Sequence, residues 1–113
     1  MTIVEFGKIN LNLNDNFDIL KFKCYGLTDY ILDIEIKVDS SNFEMISEFI
    51  KNKNGFFIGD TTDNVELFNK YPYLKDNQLF WEEYSLTKTS YEYRRIQVDL
   101  ETRIIKFYYL DEE

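Results

Sequence analysis

From Ser90 to Leu110 the chain reads SYEYRRIQVDLETRIIKFYYL, with apolar residues at alternate positions on both sides of a polar break, the pattern of a β-hairpin. With Glu101 and Thr102 as a two-residue connection, Leu100 faces Arg103, Val98 faces Ile105, Ile96 faces Phe107 and Arg94 faces Tyr109. A four-residue connection from Asp99 to Thr102 slides the pairing by two and leaves every side chain on the same face. One face therefore carries Ile96, Val98, Leu100, Ile105, Phe107 and Tyr109, and is core. The other carries Tyr91, Tyr93, Arg95, Gln97, Asp99, Ile104, Lys106 and Tyr108, and is wet, because a tyrosine buries its ring while leaving its hydroxyl in water. Asp99 and Thr102 are placed to bond the backbone N–H groups of the turn. No Gly is available there for a positive φ, so a slightly irregular turn is expected.

The same alternation recurs upstream. Thr2 to Phe6 and Lys8 to Leu13 are short β-like runs around Gly7, and Asn14, Asp15 and Asn16 mark a turn. Asp18 to Tyr25 reads as a strand paired up-and-down with the first, its apolar face formed by Leu20, Phe22 and Cys24. Tyr30 to Asp39 is the cleanest strand, with Tyr30, Leu32, Ile34, Ile36 and Val38 on one face and Asp33, Glu35, Lys37 and Asp39 on a solvated one. The period then changes. Ser41 and Glu44 form a capping box, Phe43, Met45, Ile46, Phe49 and Ile50 follow at helical spacing, and Asn54 and Gly55 supply a stop, giving a helix from about Asn42 to Asn52. Phe56 to Ile58 is a short buried run. Asp60 to Asp63 offer N-caps for a short helix from Asn64 to Lys70, which must end before Pro72. Lys75 to Gln78 reads as a turn, Leu79 to Leu86 as a strand or irregular aromatic segment, and Thr87 to Ser90 as a polar connection. The expected fold is one α+β domain over residues 1–113, a mostly antiparallel sheet of about five or six strands with one main helix packed on one face and a second short helix.

Composition narrows the function. A chain of 113 residues, 44% hydrophobic and 18% aromatic, suits one core and one domain. The net charge of −8 repels nucleic acid and anionic membranes and attracts basic partners. Arg94, Arg95 and Arg103, all in the closing hairpin, are too few for a phosphate-binding track. Cys24 is the only cysteine, so neither a disulfide framework nor a cysteine zinc site is expected, and a reducing cytosol fits best. The first twenty residues hold charges or Asn throughout, with no apolar run suited to a signal peptide or membrane span; a cytoplasmic location is expected. The absence of Ala and His beside abundant Asn, Lys, Ile, Tyr and Phe points to an AT-rich coding sequence and a bacterial or mobile-element origin.

Candidate chemistry is sparse. Without His there is no common base near neutral pH and no Ser-His or Cys-His nucleophile. Glu82 and Glu83, adjacent on a strand, point to opposite faces and do not converge as a glycosidase pair. Asp60, Asp63 and Glu66 fit one helical turn as oxygen ligands but lack the spacing and glycine of an EF-hand, and acids at a helix start are favoured by its dipole anyway. Cys24 reads as a small core residue. The scattered glycines form no phosphate loop. No enzymatic activity, cofactor, metal or small-molecule substrate is expected.

Between Asp60 and Glu83 the acids Asp60, Asp63, Glu66, Asp76, Glu82 and Glu83 stand against Lys70 and Lys75, interleaved with Tyr71, Tyr73, Phe80, Trp81 and Tyr84. Aromatic anchors supply binding energy and charge speeds encounter, so Asp60, Asp63, Glu66, Tyr71, Tyr73, Trp81, Glu82 and Glu83 are the expected partner-binding residues. An ordinary solvated face over buried aromatics is the alternative. The acidic, His-free α+β character, the segment ILDIEIKVDSSNFEMISEFI and the hairpin RRIQVDLETRIIKFYYL resemble the small immunity proteins of bacterial contact-dependent inhibition and other polymorphic toxin systems. The resemblance implies cytosolic neutralisation of one cognate toxin, often a basic nuclease, by covering its active site or substrate-binding surface. Two other classes stand beside it: a phage or mobile-element inhibitor of a host nucleic-acid enzyme acting by charge mimicry, and a carboxylate-based or metal-assisted enzyme.

Overall fold

The computed structural model describes residues 12–26, 29–86 and 88–112, and the β-like runs expected within residues 1–11 lie outside them. The chain forms strands β1 (Phe17–Tyr25) and β2 (Tyr30–Val38), helix α1 (Ser40–Lys51), the short strand β3 (Phe57–Ile58), a 3-10 turn (Gly59–Thr61) and helix α2 (Val65–Lys70). Strands β4 (Tyr73–Lys75), β5 (Gln78–Leu86), β6 (Tyr91–Asp99) and β7 (Ile104–Glu112) complete it. The strands make a seven-stranded sheet in the order β1-β2-β7-β6-β5-β4-β3, antiparallel except where β3 meets β4. The α+β class is as expected, with more strands than the sequence reading gave. No helix among the described residues is long and apolar enough to cross a membrane.

The closing hairpin sits at the centre. Val98 pairs with Ile105, Ile96 with Phe107 and Arg94 with Tyr109, the first of the two registers considered above. The turn is the expected irregular one. Asp99 Oδ1 accepts from the N–H groups of Glu101 and Thr102 at 2.9 and 3.2 Å, and Arg103, at φ 59, donates its N–H to the Asp99 carbonyl. Those backbone N–H groups hold the Asp99 carboxyl below its usual range. β7 then pairs along its length with β2, so the two cleanest alternating strands lie side by side. Their inward residues Leu32, Ile34, Ile36, Val38, Ile105, Phe107 and Tyr109 join Ile96, Val98, Leu79 and Trp81 in one buried cluster that also takes in Ile46 and Ile50 of α1.

Several boundaries differ from the sequence reading, each for a local reason. The N-cap of α1 is Asp39, in place of Ser41: Asp39 is extended, and its carboxylate accepts from the Asn42 N–H at 2.9 Å, two residues before the expected capping box. Replacing Asp39 by Ala is expected to cost about 1 kcal/mol, the usual value of an N-cap, read from urea unfolding. The cap of α2 is Asn64, whose side chain accepts from the Glu66 N–H; none of Asp60 to Asp63 caps it. β4 was not foreseen because it is three residues long; the tight turn after it, with Asp76 and Asn77 at φ 51 and 61, falls where Lys75 to Gln78 was read as one. Asn42, only 1% exposed, exchanges hydrogen bonds with Asn14 and so ties the segment before β1 to the start of α1.

Cys24 is exposed, against the expectation of a core residue. Its register with Leu32 puts it on the inward side, but β1 is the outermost of the described strands on that flank, and Ile19, Leu20 and Phe22 are exposed there as well. A shift of register between Ile19 and Lys21 inserts Leu20 as an extra residue, as β-bulges at sheet edges commonly do.

Candidate functional site

The eight residues expected to bind a partner fall into separate places. Asp60 is committed to structure: its Oδ1 accepts from the Asp76 N–H at 3.0 Å and braces the β4–β5 turn. Asp63 and Glu66 are exposed at the start of α2. Tyr71 lays its ring over Gly55, where a Cβ would come within 2.1 Å of the ring, so the φ of 83 and the close approach both require glycine. Tyr73 packs with Phe57, Phe68 and Phe80 at centroid distances of 5.8, 4.7 and 5.1 Å, the cluster that fastens α2 to the sheet. Burial, then the charge of Glu82, pushes its phenol pKa up. Trp81 differs from the surface position expected of it: it is 5% exposed and edge-on to Phe49 of α1 at 5.1 Å, within the buried cluster. Glu82 and Glu83 point to opposite faces, as their adjacency on a strand requires.

A different set is contiguous. The pairings align Tyr25, Ile31, Leu110, Tyr93 and Tyr84 in one row across five strands, and Lys23, Asp33, Tyr108, Arg95 and Glu82 in the next. Both rows lie on the face turned away from the buried cluster, here called the outer face. On this face the rings of Tyr84 and Tyr93 are 4.9 Å apart, Tyr84 and Tyr91 5.9 Å, and Tyr93 and Tyr108 6.0 Å. The Arg95 guanidinium lies 5.1 Å from the centre of the Tyr108 ring, and the Tyr93 hydroxyl donates to Glu82 at 2.8 Å. Tyr84 is 57% exposed and Leu86, at the end of the same strand, 81%.

Charge separates this face from the rest of the molecule. On the outer side of β1, β2, β5, β6 and β7 the acids are Asp18, Asp33, Glu35, Glu82, Asp99 and Glu112, and the cations Lys21, Lys23, Lys37, Arg95 and Lys106. That balance of −1 compares with −8 for the chain, so most of the negative charge lies elsewhere. Many of these charges already have neighbours: Lys21 bonds Asp33 at 3.0 Å, which raises the lysine pKa, and Glu35 stands in register with Lys106. A pocket of about 270 Å³ opens between Glu35, Lys106, Gln97 and Asp99, beside a hydrogen bond from Gln97 to Gln78. Among the described residues no group of three or more Cys, Asp or Glu is gathered to hold a metal ion, and Asp60, Asp63 and Glu66 do not form one.

Burial, then the hydrogen bond to Glu82 and its charge, pushes the Tyr93 pKa well above the usual tyrosine value, and Tyr84 moves the same way. A folded pKa above the unfolded one means that the neutral phenol stabilises the fold. This stabilisation is complete below about pH 10, the unfolded value, and is lost as pH rises through the folded one. Unfolding free energy is therefore expected to fall above about pH 10, and Tyr93→Phe to make that fall shallower. Urea titrations of both proteins from neutral to alkaline pH check this.

The hairpin half of this face, Tyr91, Tyr93, Arg95 and Tyr108, was legible from alternation. Glu82, Tyr84 and Leu86 continue it on β5, a segment that reads in sequence as either a strand or an irregular aromatic stretch. The signal lay in the alternation of Phe80, Glu82, Tyr84 and Leu86 with Leu79, Trp81 and Glu83. Comparison of the chain with protein-family models, with curated proteins and with solved structures finds no match.

Proposed function

We propose that this chain is a protein-binding inhibitor that recognises its partner through the tyrosine rows of the outer face, and that it is an immunity protein acting in the cytoplasm on one cognate toxin domain. The observation that carries the reading is the run of partly exposed tyrosines Tyr84, Tyr93 and Tyr108, held by Glu82 and Arg95. Tyr and Arg are the residues that most often supply binding energy at interfaces, since each offers a large rigid contact area with a polar tip. Here their side chains are fixed before binding, which lowers the ordering cost of association.

The charge has a second role in this reading. With the outer face nearly neutral, the surplus acids lie off it, Asp63 and Glu66 at the start of α2 among them, and draw in a basic domain over a distance. A basic nuclease toxin fits both features. The test is growth rescue: co-expressed with a candidate toxin domain from a neighbouring gene, the wild-type chain restores growth, and alanines at Tyr84 and Tyr93 abolish rescue at equal protein level. Full rescue by that variant rejects the reading.

A further inference from the structure

We infer that a second copy of this chain docks on the outer face, with the two sheets face to face about a two-fold axis that runs over β7 within about 15° of its direction, and that this pairing covers the recognition surface until a partner displaces it. The inference rests on the reading of that face as a protein-binding surface. Two observations select the axis independently. The aromatic cluster that fastens α2 occupies the outer side of β3 and β4 and reaches Phe80 at the start of β5; among the described residues this leaves the outer face of five strands, β1, β2, β7, β6 and β5, of which β7 is the middle one.

The charges name the same strand. Across the five strands one row reads Lys23, Asp33, Tyr108, Arg95, Glu82. Turned over about β7, it sets Lys23 against Glu82, Asp33 against Arg95 and Tyr108 against its own mate. Closed pairs of identical chains need this property, a surface patch that is its own complement. In the neighbouring row Tyr25 meets Tyr84 and Leu110 meets Leu110. Lys106 meets itself, but each copy's Glu35 stands beside it in register. Copies carrying −8 repel one another in general, and approach is least opposed through a face whose own balance is close to zero.

Area permits it too. Five strands about 4.8 Å apart and about 30 Å long present roughly 700 Å² per copy, close to the roughly 800 Å² per partner of a standard interface. Facing sheets cross at about 30°, which displaces the outer pairs by a few Å, within the reach of Lys23 and Glu82.

The test is sedimentation velocity of the full chain alone, with charge reversals that discriminate this arrangement from any other. Wild type is expected at twice 13.7 kDa at high concentration. D33R places Arg against Arg95, R95D places Asp against Asp33, and each alone is expected to be monomeric. Mixed in equal amounts the two restore a dimer, and D33R/R95D in one chain restores it as well. K23E and E82K repeat the scheme should either first variant fail to fold by circular dichroism. A wild type that stays at 13.7 kDa up to its solubility limit, or single reversals that dimerise like wild type, overturns the inference. The functional reading is judged separately: a monomeric wild type whose toxin rescue still depends on Tyr84 and Tyr93 removes the second copy and leaves the inhibitor. A dimer with rescue indifferent to those tyrosines removes the inhibitor reading.

Discussion

Replacing Phe107 by Ala is expected to lower the unfolding free energy by about 3–5 kcal/mol, a large share of the roughly 5–15 kcal/mol that holds a domain of this size together. Phe107 is 1% exposed, lies on the interior strand β7, and is in register with Ile34 on one side and Ile96 on the other. Truncating it removes contacts to both neighbours and leaves a cavity that a sheet paired on both flanks cannot close. Ile34→Ala and Ile96→Ala, also within 1% of full burial, should cost about 2–5 kcal/mol each. The controls lie on two of the same strands. Lys106→Ala on the same strand and Lys37→Ala on β2 point outward and should cost about 0.5 kcal/mol or less. Urea unfolding of the five variants checks the face assignment, and equal losses inside and outside would contradict it.

The face assignment was the most legible feature of the sequence because alternation of period two is dictated by strand geometry alone. It set the inward faces of β2, β6 and β7 before any contact was known, while the hairpin register stayed open between two alternatives two residues apart. Where the reading departed from the structure, the deciding contacts were non-local or the segment was short. β4 is three residues long and takes its meaning from β3 and β5 on either side. Cys24 alternates correctly, but its exposure depends on where the sheet ends. Asp39 and Ser41 are both plausible caps, and the choice turns on which residue stays extended.

The largest functional effect is expected from Tyr84 and Tyr93 together. Anchoring residues of an interface typically cost about 2 kcal/mol or more when cut to alanine, which is a roughly 30-fold loss of affinity for each. Tyr84 is more than half exposed, so its removal should leave the fold intact; Tyr93 also loses its bond to Glu82, and Tyr93→Phe separates that bond from the ring. Trp81→Ala should also abolish rescue, for another reason. Its ring packs on Phe49 in the core, so the loss should track unfolding, at about 3–5 kcal/mol.

The candidate site was only half legible, for a physical reason that concerns acids. A run of carboxylates among aromatics looks like one surface in sequence, whereas the strand and the turns distribute it. Glu82 goes outward, Glu83 and Trp81 inward, and Asp60 into a turn. The tyrosine rows are assembled from four separate strands, β1, β5, β6 and β7, and only the β6–β7 part could be read from one hairpin.

The most direct test is binding kinetics with the cognate toxin domain, comparing the Tyr84→Ala/Tyr93→Ala pair with the charge-reversed pair Asp63→Lys/Glu66→Lys at low and high salt. The tyrosine pair is expected to raise the dissociation rate at both salts, while the acid pair slows association chiefly at low salt, where the Debye length is longer. A tyrosine pair that binds like wild type, with the acid pair alone abolishing the complex, would contradict it and move the contact surface to the start of α2.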